Sequence, residues 1–439
     1  MQMCGSAEQQ YGGSGRVKIS GNEKIYICID LKSFYASVEC VEMGLDPLEA
    51  DLVVADPSRT ERTICLAVSP HLKAQGVRNR CRVYEIPKNL EYIMAPPRMR
   101  KYIEYSSRIY SVYLKYVAEE DIHVYSIDEC FMDVTSYMGP RGMSPRQFAQ
   151  TIMNDILVTT GITATCGIGS NMYLAKVALD IISKHAADRI GMLTEESYRA
   201  QLWDHLPLDD FWMISSGTVR KLERYGIRTM MEIAHADVRL LRSLFGINYE
   251  LLYDHAWGRE SATIADIKNC VPKSSSLSSG QVLHEGYDIP GARLLVTEMA
   301  ELLSLDLVSQ HKTANSVTMT LSYSFTSGIS PAHGTLSLGA RTNSTKRILE
   351  TVRALYDRIA VNDFPVYHVH VCFNNVTEDN DCQYNIFSPP SEQDRECDLQ
   401  SAIVDIRGKY GKNSIFKGMN LLEGAKTIER NAQIGGHSA

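Results

Sequence analysis

No apolar run of about 18 residues or more occurs in the chain, so the sequence offers no candidate membrane-spanning helix. The opening residues, 1–21, are rich in Gly, Ser and Gln and hold no apolar stretch. They are read as a disordered segment and not as a secretory signal. Cys-x-x-Cys pairs are absent among the eleven cysteines, so a structural zinc site is not expected. Cys28, Cys130, Cys166 and Cys372 lie inside apolar runs, as buried thiols do, and a reducing, cytoplasmic setting follows. Excess basic charge is missing too. The net charge of −7 gives no whole-chain reason to look for nucleic acid, although local patches decide binding. No short-period repeat is present.

What is present is enough chain for several cores. At 439 residues, roughly two to four domains are expected. Ile25-Tyr-Ile-Cys-Ile29 reads as a strand buried on both faces. Apolar residues at helical spacing follow over 97–119. His123 to Thr135 reads as two short strands with Asp128-Glu129 at their turn, and Pro145 opens a second helix. Ile162 to Ile168 reads as a strand, and Ser170 or Asn171 caps a helix running to His185. The order β-α-β-β-α-β, broken after its first strand by an insertion at 34–97, fits a ferredoxin-like split βαβ sheet.

Residues 188–260 look helical, with Gly217 and Gly226 bracketing a segment that could turn backbone N–H groups toward a phosphate. A polar stretch over 261–272 reads as a linker, and the Ser-rich run extends to Gly280. A second α+β unit spans 273–378. Its elements are a helix over 291–310, a strand over 315–324, a helix over 344–361 and a strand over 366–373. In the first of these strands Val317, Met319, Leu321 and Tyr323 alternate with Thr318, Thr320 and Ser322. The remainder, 379–439, reads as a polar tail.

Asp30, Asp128 and Glu129 stand at strand ends or turns. Side by side in a split βαβ sheet they would repel one another unless a cation lay between them. Mg²⁺ takes a few carboxylates with water and phosphate oxygens, and a pair of such ions suits phosphoryl transfer. Taken alone, the Asp-Glu pair could as well be ordinary turn residues.

The segments around these acids change that balance. Asp30-Leu-Lys-Ser-Phe-Tyr-Ala-Ser-Val-Glu39, Tyr125-Ser-Ile-Asp-Glu-Cys-Phe-Met-Asp133 and Cys166-Gly-Ile-Gly-Ser-Asn-Met-Tyr-Leu-Ala-Lys176 resemble, in order, three signatures of the Y-family, UmuC/DinB-like (ImpB/MucB/SamB) DNA polymerases. The resemblance runs from about 24 to 375. It implies an α+β multidomain, right-hand polymerase that acts in DNA damage bypass. The palm would be ferredoxin-like (22–33 and 98–187), with small fingers (34–97), a helical thumb (188–260) and an α/β little finger (273–378).

It further implies two Mg²⁺ ions, with Mn²⁺ as an accepted substitute, held by Asp30, Asp128, Glu129 and the Leu31 carbonyl. Tyr35 would be the steric gate against a 2′-OH, with Phe34 beside it. Lys73 and Lys176 would hold the triphosphate, Lys176 from the helix face opposite Leu174 and Val177. Pro70 and Lys73 stand where many relatives carry tyrosine and arginine, and Lys32 stands where some carry an acid. Gly217, Gly226, Lys346 and Arg347 are the expected DNA contacts, and Thr318, Thr320 and Ser322 offer a polar strand face. Gln383-Tyr-Asn-Ile-Phe387 resembles the peptide that docks bacterial polymerases on the sliding clamp through Gln383, Ile386 and Phe387. The expected partners are primer-template DNA, dNTP and the clamp, for a monomer in the cytoplasm. Two other readings remain: a palm-type nucleotidyl cyclase, for which no Gly-Gly-Asp-Glu-Phe-like turn is present, and a catalytically silent DNA- or clamp-binding relative.

Overall fold

Tyr26–Leu31 (β1) is buried at every position except Asp30, as its apolar run predicts. The chain turns at Ser33 into Phe34–Glu42 (α1) and then builds a small lobe. Leu52–Val54 (β2), Ala67–Val68 (β3), Pro70–Ala74 (α2) and Ile93–Ala95 (β4) make it, with the sheet order β3-β2-β4 and a core of Val53, Val68, Leu72, Val77 and Ile86. Met99–Tyr113 (α3) leads back to the main sheet. That sheet is completed by Ile122–Val124 (β5), Glu129–Asp133 (β6), Pro145–Thr160 (α4), Ala164–Gly169 (β7) and Ile190–Leu193 (β8).

The strand order is β5-β6-β1-β7-β8. β1 runs antiparallel to both β6 and β7. This is the split βαβ arrangement expected from the sequence, with β8 added parallel at the β7 edge. The structure described is a computed structural model covering residues 24–57, 60–272, 274–324, 327–379 and 390–438. The opening segment 1–21 and the peptide Gln383–Phe387 lie outside them. Among the described residues no helix is long and apolar enough to cross a membrane.

Met172–Val177 (α5) starts at Asn171, whose side chain accepts the Leu174 N–H, and continues through a π turn at Ala178–Ile182. Two glycines of the Cys166-Gly-Ile-Gly169 run let α5 lie against β7. A Cβ at Gly167 would stand 2.0 Å from the Ala175 carbonyl oxygen, and one at Gly169 would stand 2.3 Å from the Ala175 nitrogen. No other residue permits that approach. The helical region that follows holds Glu195–Leu202 (α6), Ser216–Glu223 (α7), Met230–His235 (α8), Val238–Phe245 (α9) and Tyr249–Ala256 (α10). It shares one core with α5 through Tyr173, Leu174, Tyr198, Leu222 and Met230. The stretch 261–272, read as a linker, is partly helical. Ile264–Asn269 (α11) is capped by Thr263, and Ile264 is buried with Tyr26, Cys28 and Phe131.

The chain divides after Cys270 into a second body. Its main sheet has the order β11-β10-β12-β9, formed by Ser276–Tyr287 (β9), Lys312–Tyr323 (β10), Ala332–Thr342 (β11) and Val366–Asn374 (β12). Ile289–Ser309 (α12) and Thr345–Ile359 (α13) cover the face that carries Val317, Met319 and Leu321. Two departures from the sequence reading stand out. The Ser-rich run to Gly280, taken as connector, opens β9, and β11 was not foreseen. The polar tail is also folded in part. Pro390–Tyr410 (α14) packs on α12, and Glu298 of α12, 0% exposed, accepts hydrogen bonds from Asn420 Nδ2 (2.9 Å) and the Lys426 N–H (2.8 Å).

Candidate active site

Antiparallel pairing sets Asp30 of β1 directly opposite Glu129 of β6. Directly opposed residues share a face, with Cβ atoms about 5 Å apart. The Leu31 N–H donates to the Asp128 carbonyl at 2.9 Å, which ties the β5–β6 turn to the end of β1. Asp30 and the adjacent pair Asp128-Glu129, about a hundred positions further on, therefore meet at one sheet edge. Burial, then the charges of Asp128 and Glu129, push the Asp30 carboxyl up to about 7, although Lys176 pulls the other way. Leu31, Asp128 and Glu129 line a cleft of about 400 Å³ together with Ser106, Tyr110 and Tyr113 of α3, and Asp30 lies outside that lining.

An all-oxygen donor set of this kind suits a hard cation such as Mg²⁺. As the side chains stand, no three His, Cys, Asp or Glu groups among the described residues close around one point. Asp128 Oδ1 accepts from Ser126 Oγ at 2.6 Å. Glu129 Oε1 accepts from Cys28 Sγ at 3.2 Å and pairs with Lys176 Nζ at 2.8 Å. The acids are gathered, with Glu129 drawn toward a lysine.

Lys176, read from the sequence as a triphosphate contact on the helix face opposite Leu174 and Val177, is 8% exposed and held between Glu129 and Asp180. Burial works against its charge. The two carboxylates more than offset that, and its pKa lies above the usual lysine value. Lys73 Nζ donates to Ser33 Oγ at 2.8 Å, and although burial lowers its pKa, the Asp30 charge opposes the shift.

Two arginines escaped the sequence reading. Arg189 lies near enough to Lys32 to add to the burial that lowers the lysine's pKa. Arg80 lies near Tyr35 and opposes the rise that burial and Asp128 cause in its phenol. Both arginines adopt positive φ, 57° for Arg80 and 60° for Arg189, a conformation that basic residues give no reason to expect.

Tyr35 follows Phe34 in α1, with ring centroids 5.7 Å apart. Phe34 is buried and Tyr35 only partly so, and the Asp128 charge reaches the Tyr35 phenol. The aromatic pair therefore borders the acid edge. Gly217 sits in the first turn of α7 behind the cap Ser215, and Gly226, at φ +75°, ends the turn after that helix.

In the second body the proposed DNA contacts separate. Thr318, Thr320 and Ser322 are partly exposed on the sheet face away from α12 and α13. Lys346 and Arg347 belong to α13, on the opposite side. The N-terminus of α13, where a phosphate could have bound, is taken by Glu396, which accepts from the Lys346 N–H at 3.0 Å.

The impB/mucB/samB family matches residues 29–180, and its C-terminal domain matches 274–386. The chain is 29% identical over 418 residues to the putative UV-damage repair protein UvrX of Bacillus subtilis (strain 168), covering 95% of this chain and 98% of that protein. It is 28% identical to DNA polymerase IV 2 of Halalkalibacterium halodurans, over 94% of this chain and 99% of that one. Among solved structures, a Y-family DNA polymerase chimera superposes with a TM-score of 0.64 at 20% identity, covering 81% of this chain and 99% of the chimera. At that identity the likeness establishes the fold, the multidomain α+β polymerase architecture. The chain belongs to the impB/mucB/samB family, the UmuC/DinB-like Y-family DNA polymerases.

Proposed function

We propose that the chain is a template-directed DNA polymerase of the translesion type, adding dNMP from a dNTP to a primer 3′-OH. The observation that carries this reading is the register of Asp30 against Glu129, with Asp128 tied to the same edge through Leu31. Asp30, Asp128, Glu129 and the Leu31 carbonyl would hold two divalent cations, Mg²⁺ or Mn²⁺. Bound there, such cations neutralise charge on the reacting phosphate and favour loss of the 3′-OH proton.

The chain's own groups supply the positioning. Lys73, in reach of Asp30, takes the triphosphate. Lys176 is better placed to fix Glu129 than to meet substrate. Tyr35 stands as the steric gate beside Phe34. Primer-template DNA lies on the first turn of α7 at Gly217, with Gly226 shaping the turn after it, and on the Thr318, Thr320 and Ser322 face. Of the two candidate surfaces in the second body, the strand face is preferred to Lys346 and Arg347, because Glu396 already holds the α13 terminus. Gln383, Ile386 and Phe387 would dock a monomeric enzyme on the sliding clamp in the cytoplasm. Deleting 383–387 should remove clamp stimulation and spare intrinsic extension.

Primer extension with Mg²⁺ tests the main reading. Asp128→Ala with Glu129→Ala should lose on the order of 10³-fold or more in extension while DNA binding persists. Extension near the parental rate by that double variant would refute the assignment.

A further inference from the structure

Tyr35 does not stand alone. Its ring lies 4.3 Å, centroid to centroid, from the ring of Tyr102 on α3, at an interplanar angle of 15°. Phe34 meets the same Tyr102 ring edge-on at 6.5 Å. Tyr102 is 0% exposed, so it touches neither nucleotide nor DNA. Its hydroxyl donates to Glu39 Oε1 at 2.7 Å. Glu39, 1% exposed, is in turn gripped by Arg98, whose Nε lies 3.1 Å from both carboxylate oxygens and whose Nη2 lies 2.6 Å from Oε2. A buried carboxylate is tolerable only when paired and hydrogen-bonded, and this one is both.

The spacing makes the lock. Tyr35 and Glu39 are four apart on α1, and so lie on one face of it. Arg98 and Tyr102 are four apart at the start of α3. The two pairs interdigitate, ring on ring and carboxylate on phenol and guanidinium. Aromatic stacking alone leaves a ring free to slide, whereas a ring whose hydroxyl is tied to an immobile carboxylate is not.

We propose that Tyr102, anchored by Glu39 and Arg98, is a positioning residue that backs Tyr35 and sets how strongly the site rejects a ribonucleotide. The proposal rests on the reading of Tyr35 as the gate. A gate that works by collision excludes a 2′-OH only as firmly as its ring resists displacement. Behind Tyr35 the resisting surface is the face of Tyr102.

The test is steady-state single-nucleotide insertion with dNTP and rNTP, comparing the ratio of kcat/KM for the two sugars. Tyr102→Leu should lower that ratio about three- to tenfold, the range one aromatic stack supports, with dNTP insertion close to parental. Tyr102→Phe keeps the ring but removes its tie to Glu39, and should lower the ratio by less than Tyr102→Leu does. In a Tyr35→Ala background, Tyr102→Leu should change the ratio no further, because its effect passes through Tyr35. If Tyr102→Leu does not fold, Tyr102→Met fills the space with an unbranched chain and gives the same reading. A parental ratio in the folded Leu or Met variant, alongside a relaxed ratio in Tyr35→Ala, overturns the positioning role. An unchanged ratio in Tyr35→Ala overturns the gate reading itself, and this inference with it.

Discussion

Lys176 Nζ stands 2.8 Å from Glu129 Oε1 and 2.9 Å from Asp180 Oδ1, so one buried ammonium bridges a site carboxylate and its own helix. Removing it strands two acids. Lys176→Met should destabilise the first body by about 3 kcal/mol, the usual result of breaking a buried pair from one side. Lys176→Arg should recover most of that loss. Equilibrium unfolding of the three proteins decides it, and a Met variant as stable as the parent would mean that the bridge contributes nothing.

Crowding of like charge makes a second prediction. The metal-free acid edge is self-repelling, with Asp30 pushed up to about 7 by burial, Asp128 and Glu129. A raised carboxyl pKa means that its ionised form is disfavoured in the fold, so above that pH the charge costs stability. Asp30→Asn should therefore raise the melting temperature in divalent-free buffer at alkaline pH while abolishing extension. Added Mg²⁺ should stabilise the parent more than the variant. A lower melting temperature for Asp30→Asn would contradict this.

The glycine seat under α5 is the third point of leverage. At Gly169 a Cβ would lie 2.3 Å from the Ala175 backbone nitrogen, which no rotamer change relieves. Gly169→Ala should cost about 2–3 kcal/mol or more and lift Lys176 away from Glu129. Loss of extension activity at temperatures where the variant remains folded would reveal the displacement. Parental stability would mean that α5 is not seated as described.

The fourth concerns Glu298. Its Oε1 also accepts from the Thr427 N–H at 3.3 Å, so three donors depend on one buried side chain. Glu298→Ala leaves them unpaired, at about 1–3 kcal/mol each before relaxation. Limited proteolysis should then cut within 411–438 much faster than in the parent. Equal cutting rates would show that the carboxylate does not hold the segment down.

How far the sequence could be read follows from these same residues. The meeting of Asp30 with Asp128 and Glu129 was legible because strand pairing and a tight turn fix their places. The burial of Lys176 was not legible, because lysine is ordinarily outside. The sign that it is not lies nine and seven residues earlier, in the backbone contact that Gly167 and Gly169 allow. β9 was hidden because Ser279 and Gln281 fall between Leu277 and Leu283 on its inward side, which breaks the alternation. β11 was hidden in the same way by Gly334, which faces Ile359 and Leu355. In α14 Leu399, Ile403, Ile406 and Tyr410 recur at helical spacing, but Leu399 and Tyr410 are exposed, and the most buried residue is Gln400, whose amide donates to Thr345 Oγ1 at 2.6 Å. The apolar period therefore does not mark the side that packs.

The pairing of Asp30 with Glu129 has an outcome for how such a protein fails. Neighbouring positions on both strands, Ile29 and Cys130, are fully or almost fully enclosed. A slip of either strand by one place would carry an acid into that enclosed layer and a hydrocarbon out to the edge. Misregistered chains would thus be lost to aggregation or proteolysis rather than persist as sluggish enzymes. Errors in assembly would lower the number of working molecules and leave the rate of each survivor untouched.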